Sequence, residues 1–248
     1  MSEISLSQDA EVLTLEINRP AKMNSLTRAM YAELASHLRD ASGDFSIRTL
    51  VISGAGENFC AGNDIFDFMN DPPTDADSEV FQFLTELQNF PKPIIAVVQG
   101  NAVGIGTTML FHCDLVYATP TAKFSMPFVT LGLVPEAGSS YLFPLLVGYQ
   151  RAAKTFLSGE SFDASQAKEM GLVLEVSDSA RDLAQAMAKK IAGQPPTSVI
   201  NTKALMKSRT HDAVSAVMRA EGELFRIALQ SEEAMGAFMK FAANREQK

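Results

Sequence analysis

The 248-residue sequence predicts an α/β protein that ends in an all-helical tail. Three observations carry that prediction. Short β-branched runs recur through the first half, helical spacing takes over after residue 137, and two glycine-rich segments, Phe59–Asp64 and Gly100–Gly106, punctuate the β-rich part.

Residues 11–17 (EVLTLEI) alternate apolar and polar, the pattern of a half-buried strand, and Pro20 in Asn18-Arg19-Pro20 closes it by removing a ladder donor. Met30, Leu34 and Leu38 place a helix over 27–40. Thr49 to Ile52 and Ile94 to Val98 are β-branched runs closed by glycine, as buried strands are, and Leu115 to Tyr117 is a further strand. Asp71–Asp77 (DPPTDAD) is polar and proline-rich, a flexible loop ahead of a helix over Val80–Leu87. The second glycine-rich segment opens an apolar run, Thr107 to Phe111, that reads as a buried helix. Arg151–Leu157, Ala164–Met170 and Leu183–Ile191 show helical spacing, with Gly171 as a C-cap. Pro195 and Pro196 break the chain, and helices run from about Ser198 to Lys207 and from His211 to the end. The expected division is a core domain, 1–195, and a C-terminal helical segment, 196–248, with no linker long enough to make them independent.

Composition narrows the function. An apolar fraction of 46% and a charged fraction of 20% are ordinary for a soluble globular protein. A net charge of −8 without a basic stripe argues against nucleic acid as a partner. Two cysteines, Cys60 and Cys113, make no disulfide framework and suit a reducing compartment. No apolar stretch approaches the roughly 20 residues of a membrane span, and MSEISLSQDA is not a secretory signal. A cytoplasmic protein without a membrane partner is expected. No ligand cluster with metal spacing is visible.

Glycine lets backbone approach a ligand closely, and a helix N-terminus offers unpaired N–H groups. Two such segments can aim two backbone N–H groups at one oxygen, as enzymes do to hold an enolate or a tetrahedral oxyanion. The spacing Gly100-x-x-x-Gly104-x-Gly106 is wrong for the dinucleotide fingerprint, which sets a dinucleotide enzyme aside.

A set of motifs now resembles one superfamily. They are Asn18-Arg19-Pro20, Met23-Asn24-Ser25-Leu26, Gly54 to Asp64, Lys92 to Ala96, Gly100 to Gly106, Cys113-Asp114 and Leu131 to Pro135. In order and spacing they resemble crotonase, the enoyl-CoA hydratase/isomerase superfamily, from about residue 5 to residue 195. The resemblance implies a ClpP-like spiral of ββα units with a C-terminal helical segment used in trimerisation, and homotrimers or dimers of trimers. It also implies an acyl-CoA substrate whose CoA is part of that substrate, with no separate cofactor. By the same resemblance the oxyanion-hole N–H groups belong to Asn63 and Ile105, and neither depends on its side chain for that role.

Carboxylates distinguish members of such a family. The resemblance puts Thr108 and Phe128 where hydratases carry two glutamates. Adding water across a double bond needs a general base and a proton donor; a threonine is no general base near neutral pH, and a phenylalanine is neither. Glu136, in Val134-Pro135-Glu136-Ala137-Gly138-Ser139-Ser140-Tyr141, looks like the catalytic base of peroxisomal-type Δ3,Δ2-enoyl-CoA isomerases. Moving a double bond needs only one base, and apolar neighbours such as Val134, Phe128 and Met126 would strengthen a carboxylate for that task. The other reading of Glu136 is an acid in a helix's first turn, with Pro135 at the first position.

Other positions keep two readings each. Asp64 is a helix cap, or supports the Asn63 loop or the CoA end. Lys22 meets a CoA phosphate or solvent. Met23, Ala61 and Ile65 match positions that border adenine and pantetheine in relatives, and Gly104 belongs to the glycine-rich site segment. In relatives the position of Asn101 lies near the acyl pocket, where an amide could hold a water or steer Glu136; its other reading is turn chemistry. His112 beside Cys113 lacks an oriented third partner and reads as structural. The tail's Met218, Leu224, Phe225, Ile227, Met235, Phe238, Met239 and Phe241 are core, subunit interface or lid. Phe66, Phe68, Met69, Phe81 and Leu84 either line an acyl tunnel or fill the core. The expected function is Δ3,Δ2-enoyl-CoA isomerisation in fatty-acid β-oxidation. The rivals are an enoyl-CoA hydratase, another crotonase chemistry, and a non-catalytic acyl-CoA-binding protein.

Overall fold

The computed structural model describes residues 2–73 and 77–246. Among the described residues nine strands fall into two sheets. The larger is ordered β1 (Ile4–Asp9), β2 (Val12–Ile17), β3 (Thr49–Gly54), β4 (Ile94–Val98), β6 (Leu115–Ala118), β9 (Glu175–Val176); the smaller is β5 (Asn101–Val103), β7 (Lys123–Ser125), β8 (Phe162–Asp163). After the antiparallel β1–β2 hairpin, all pairings in the large sheet are parallel.

The spiral emerges from how the chain alternates between sheets. β3 leads to Cys60, β4 to β5 and β6 to β7, so each turn lays one strand in the large sheet and one segment in the small one. Cys60 bridges Ala102, and β5 pairs in parallel with β7. The repeat is one of geometry, which is why no sequence identity betrays it.

Residue types follow from burial on both faces. Leu50, Ile52, Ile94, Ala96 and Val98 face the main core with helices α1 (Arg28–Gly43) and α3 (Glu79–Asn89). Val51, Ile95 and Val97 face a second core under α8 (Ala180–Ala192). Successive strand side chains point to opposite faces, so such strands are apolar throughout. On α8, Ala180, Ala184, Ala188 and Ala192 recur every fourth residue and are buried; their size brings the helix close to the sheet.

The remaining helices are α2 (Ile65–Asn70), α4 (Ile105–Thr108), α5 (Ser139–Val147), α6 (Tyr149–Ser158), α7 (Ala164–Glu169), α9 (Pro196–Lys207), α10 (His211–Leu229) and α11 (Glu232–Glu246). A 3-10 turn, Met109–His112, extends α4, so the expected buried helix is real but begins at Ile105. Gly171 has φ +82° just past α7, as a C-cap glycine does.

Two expectations need correction. The tail from His211 is two helices, because the Ser231 hydroxyl accepts the Ala234 N–H and starts α11 afresh, with Glu232 and Glu233 in its first turn. The edge strand β1 and the short strands β5, β7, β8 and β9 were not expected; only Ile4 of β1 is buried, so its alternation carries little signal, and the others are two or three residues long. Of the expected loop over 71–77, residues 74–76 lie outside the described residues.

The tail joins the main core through Phe225, Leu229, Ala234 and Phe238. Leu224, Ile227, Met235 and Met239 are exposed, and the Phe241 side chain lies outside the described residues.

Candidate active site

The two glycine-rich segments lie side by side along the seam between turns of the spiral. Cys60 N–H donates to the Asn101 carbonyl at 3.0 Å, and Val103 N–H to the Cys60 carbonyl at 2.9 Å. A Cβ on Gly106 would stand 2.4 Å from the Cys60 carbonyl oxygen, so only glycine permits this approach. Gly104, at φ 54° and ψ −120°, turns the chain into α4. Ile105 is the first residue of that helix, and its N–H therefore has no partner one turn back.

Asn63 is exposed to the same logic. Leu26 N–H donates to the Gly62 carbonyl and Asp64 N–H to the Leu26 carbonyl, both at 2.8 Å. In this parallel bridge the amides on either side of Asn63 are used, and its own N–H faces away from Leu26. The Asn63 side chain is held separately: its Oδ1 accepts the Tyr31 hydroxyl at 2.5 Å.

Glu136 lies in the loop before α5, three residues ahead of the helix, so it is not a first-turn acid. It is buried, and the Thr108 hydroxyl donates to its Oε1. Burial raises its pKa from 4.5 to about 8, the Thr108 bond opposes that rise, and the nearby Glu221 carboxylate adds to it. Burial also pushes the Tyr31 phenol well above its usual range and the Cys60 thiol up to about 12, each with an added push from Glu136. Glu136, Tyr31 and Cys60 thus share one buried neighbourhood.

Asp64 caps α2, accepting the N–H groups of Phe66 at 3.1 Å and Asp67 at 3.3 Å, and pairs with Arg19 at 2.7 Å. The Asn101 amide donates to Asn58 Oδ1 at 2.6 Å, a partner 43 positions away, so it ties the second glycine-rich segment to the residue before the first instead of closing a local turn. Lys22 ends an exposed 3-10 turn, and Met23, left-handed at φ 52°, accepts the Ala61 N–H through its carbonyl at 3.0 Å. Ile65 is half-buried at the start of α2, and Phe128 is in the main core. Among the tunnel candidates Phe68 and Leu84 are core, Phe81 is partly buried, and Phe66 and Met69 are exposed.

His112 and Cys113 do not form a nucleophilic pair. Burial drives the His112 pKa down to about 4 and the Cys113 thiol up to about 12. His112 Nε2 is engaged at 2.7 Å with the Ala137 carbonyl. Among the described residues no three His, Cys, Asp or Glu side chains are grouped to hold a metal, and no helix is long and apolar enough to cross a membrane.

The sequence reading did not single out Tyr31 or Glu221, and it gave no role to Arg19 or Asn24, which it quoted only within motifs. Tyr31, on α1, is fully buried, and its hydroxyl reaches Asn63 across 32 positions of sequence. Glu221, on α10, accepts Gly138 N–H at 2.6 Å and Ser140 N–H at 2.9 Å, more than 80 positions away in sequence. Arg19 braces the first glycine-rich segment through Asp64 and the Ser25 carbonyl and hydroxyl. Asn24, fully buried in an already noted motif, donates to the Ala55 and Asn58 carbonyls in the same region.

Comparison with known proteins follows the same contours. The family profile described as Enoyl-CoA hydratase/isomerase matches residues 7–248. The 1,2-epoxyphenylacetyl-CoA isomerase of Escherichia coli K12 is 35% identical over 99% of this chain and 97% of its own length. The 2,3-dehydroadipyl-CoA hydratase of that organism is also 35% identical, over 97% of this chain and 96% of its own. Enoyl-CoA delta isomerase 2 of Rattus norvegicus is 34% identical over 98% of this chain and 64% of its own. Among solved structures, OdaA of Pseudomonas aeruginosa superposes with a TM-score of 0.94 at 40% identity, covering 97% of this chain and 99% of that one.

Proposed function

The chain belongs to the enoyl-CoA hydratase/isomerase family and is an acyl-CoA-acting enzyme, and on that basis we propose that it shifts a double bond from C3–C4 to C2–C3 of an enoyl-CoA thioester. The observation that carries this reading is the proton inventory. Glu136 has one oxygen held by Thr108, and among the described residues no donor reaches the other. Glu221 is also near, but both its oxygens are occupied by backbone N–H groups. One carboxylate is therefore available, and isomerisation asks for one.

In the proposed reaction Glu136 takes a proton from C2, and the electron pair of that C–H bond delocalises through the thioester and the C3–C4 double bond. The thioester oxygen becomes a dienolate oxyanion, for which the N–H groups of Asn63 and Ile105 are the donors. The Glu136 acid returns the same proton to C4, leaving the double bond at C2–C3. Nothing is oxidised or reduced, so the CoA carried by the substrate is the only non-protein group the reaction calls for. A homotrimer, or a dimer of trimers, is proposed as the working form; the exposed Leu205, Met206, Leu224 and Ile227 on α9 and α10 support it.

The test is conversion of trans-3-hexenoyl-CoA to trans-2-hexenoyl-CoA by wild type and Glu136→Gln. Loss of about three decades of turnover in a folded variant, ~4 kcal/mol of barrier, supports the assignment. Efficient crotonyl-CoA hydration that survives Glu136→Gln would instead favour a hydratase, and the absence of C2-proton exchange in bound acyl-CoA a binding protein.

A further inference from the structure

The backbone that carries Glu136 is held in an unusual shape. Ala137 and Gly138 follow it at φ +59° and φ +70°, two successive left-handed residues, and the first has a side chain. L-residues rarely adopt that conformation, and it persists only where the surroundings over-determine it. Here two buried side chains from distant elements do so. His112, at the end of the 3-10 turn after α4, meets the Ala137 carbonyl at 2.7 Å through Nε2. A carbonyl can only accept, so Nε2 carries the proton. Glu221 reaches in from α10 and accepts Gly138 N–H at 2.6 Å and Ser140 N–H at 2.9 Å. The elbow after Glu136 is thus clamped at its carbonyl by one side chain and at its amides by the other. The His112 carbonyl is itself fastened by Lys207 Nζ of α9 at 2.8 Å.

We propose that His112 and Glu221 are positioning residues, which lock the Ala137–Gly138 elbow and so hold the Glu136 carboxylate on the Thr108 hydroxyl in its reactive orientation. The inference rests on Glu136 being the base. Neither residue exchanges a proton with substrate, since the acceptor oxygens of Glu221 and the Nε2–H of His112 are spent on backbone.

Glu221 has a second effect. The titratable groups around Glu136 are Tyr31 from α1, Cys60 from the loop after β3 and Glu221 from α10, with His112 one residue along at Ala137. Burial keeps Tyr31 and Cys60 protonated and His112 neutral at working pH. Glu221 supplies the charge that, after burial, raises the proton affinity of Glu136. Burial raises the pKa of Glu221 as well, but its hydrogen bonds to Ser140 and Gly138 favour the ionised form.

The test uses His112→Leu, His112→Gln and Glu221→Gln in the full chain. His112→Leu keeps the volume and removes the donor; a glutamine amide restores a donor near Nε2. We expect His112→Leu to lose about tenfold or more in kcat with KM within about twofold, and His112→Gln to recover most of it, because a base displaced by an ångström reacts far more slowly. Glu221→Gln removes a neighbouring like charge and should lower the Glu136 titration midpoint by about half a unit or more. That midpoint is read by 13C NMR of labelled glutamate carboxyls, with the Glu136 signal assigned by its loss in Glu136→Gln. Folded variants with lowered Tm but wild-type kcat and an unmoved titration would overturn the proposal. If His112→Leu does not fold, the Glu221→Gln titration decides. That titration needs no turnover, so an inactive wild type would defeat the isomerase reading while this inference is still judged on the NMR result.

Discussion

The Thr108 hydroxyl donates to the Glu136 carboxylate within the protein core. Thr108 is the last residue of a helical turn whose first residue, Ile105, has no partner one turn back for its N–H. In the proposed site, one short helix would therefore orient the base at one end and supply an oxyanion donor at the other.

Removing that hydroxyl leaves Glu136 more weakly oriented and less well solvated as an anion. Thr108→Val should cut isomerase kcat by about 10- to 100-fold, the range expected when a reacting group loses its alignment. Thr108→Ser should stay within a few-fold of wild type. Steady-state kinetics on trans-3-hexenoyl-CoA check both, and equal activities for Val and Ser would show that the hydroxyl is idle.

A base with a pKa of about 8 is mostly protonated at neutral pH. The kcat/KM of the free enzyme should rise about tenfold per pH unit below that value and level off above it. Thr108→Val removes a bond that favours the ionised form, so its profile should move to higher pH. A flat profile between pH 6 and 9 would exclude Glu136 as the titrating base.

The same group links stability to pH. Its folded-state pKa of about 8 lies above the ordinary 4.5, so between these values the folded chain binds more protons than the unfolded one. Stability from this group is full below about pH 4.5 and lost as pH rises towards 8, by an amount on the order of a few kcal/mol. His112 acts with the opposite sense. Depressed from 6.5 to about 4, it costs stability as pH falls through that window. Glu136→Gln should therefore be more stable than wild type at pH 8 and show a shallower decline from pH 6 to 8. Urea midpoints across that range measure it.

Leu205 and Met206 on α9 are 75% and 68% exposed, and Ile227 on α10 is 69% exposed. Side chains of that size on neighbouring helices suit an interface between copies. Sedimentation velocity should find wild type as trimers or larger, and Leu205→Glu with Ile227→Glu should shift it towards smaller species. A wild-type monomer would leave the apolar face without this explanation.

What the sequence made legible was whatever one segment decides by itself. The strands at Thr49 and Ile94 were readable because both faces are buried, and the helix over Met30, Leu34 and Leu38 because one face is. The paired glycine-rich segments announced close backbone approach, since Gly106 tolerates no Cβ against Cys60. Contacts made across the chain were not legible. Tyr31 reaches Asn63, Glu221 reaches Gly138, and Arg19 reaches Asp64, and no local pattern marks any of them. Asp64 was the instructive case: its capping geometry was readable from the residues that follow it, its ion pair with Arg19 was not.

The bridge between Cys60 and Ala102 aligns the two glycine-rich segments through main-chain atoms, whereas Glu136, the proposed base, is a side chain on a separate loop. In the proposed site the anion-holding half asks nothing of the side chains of Asn63 and Ile105, provided the glycines around them stay, while the other half can be rewritten one residue at a time. On that proposal, a scaffold divided in this way can exchange one reaction for another without rebuilding its fold, by changing a few positions such as 108, 128 and 136.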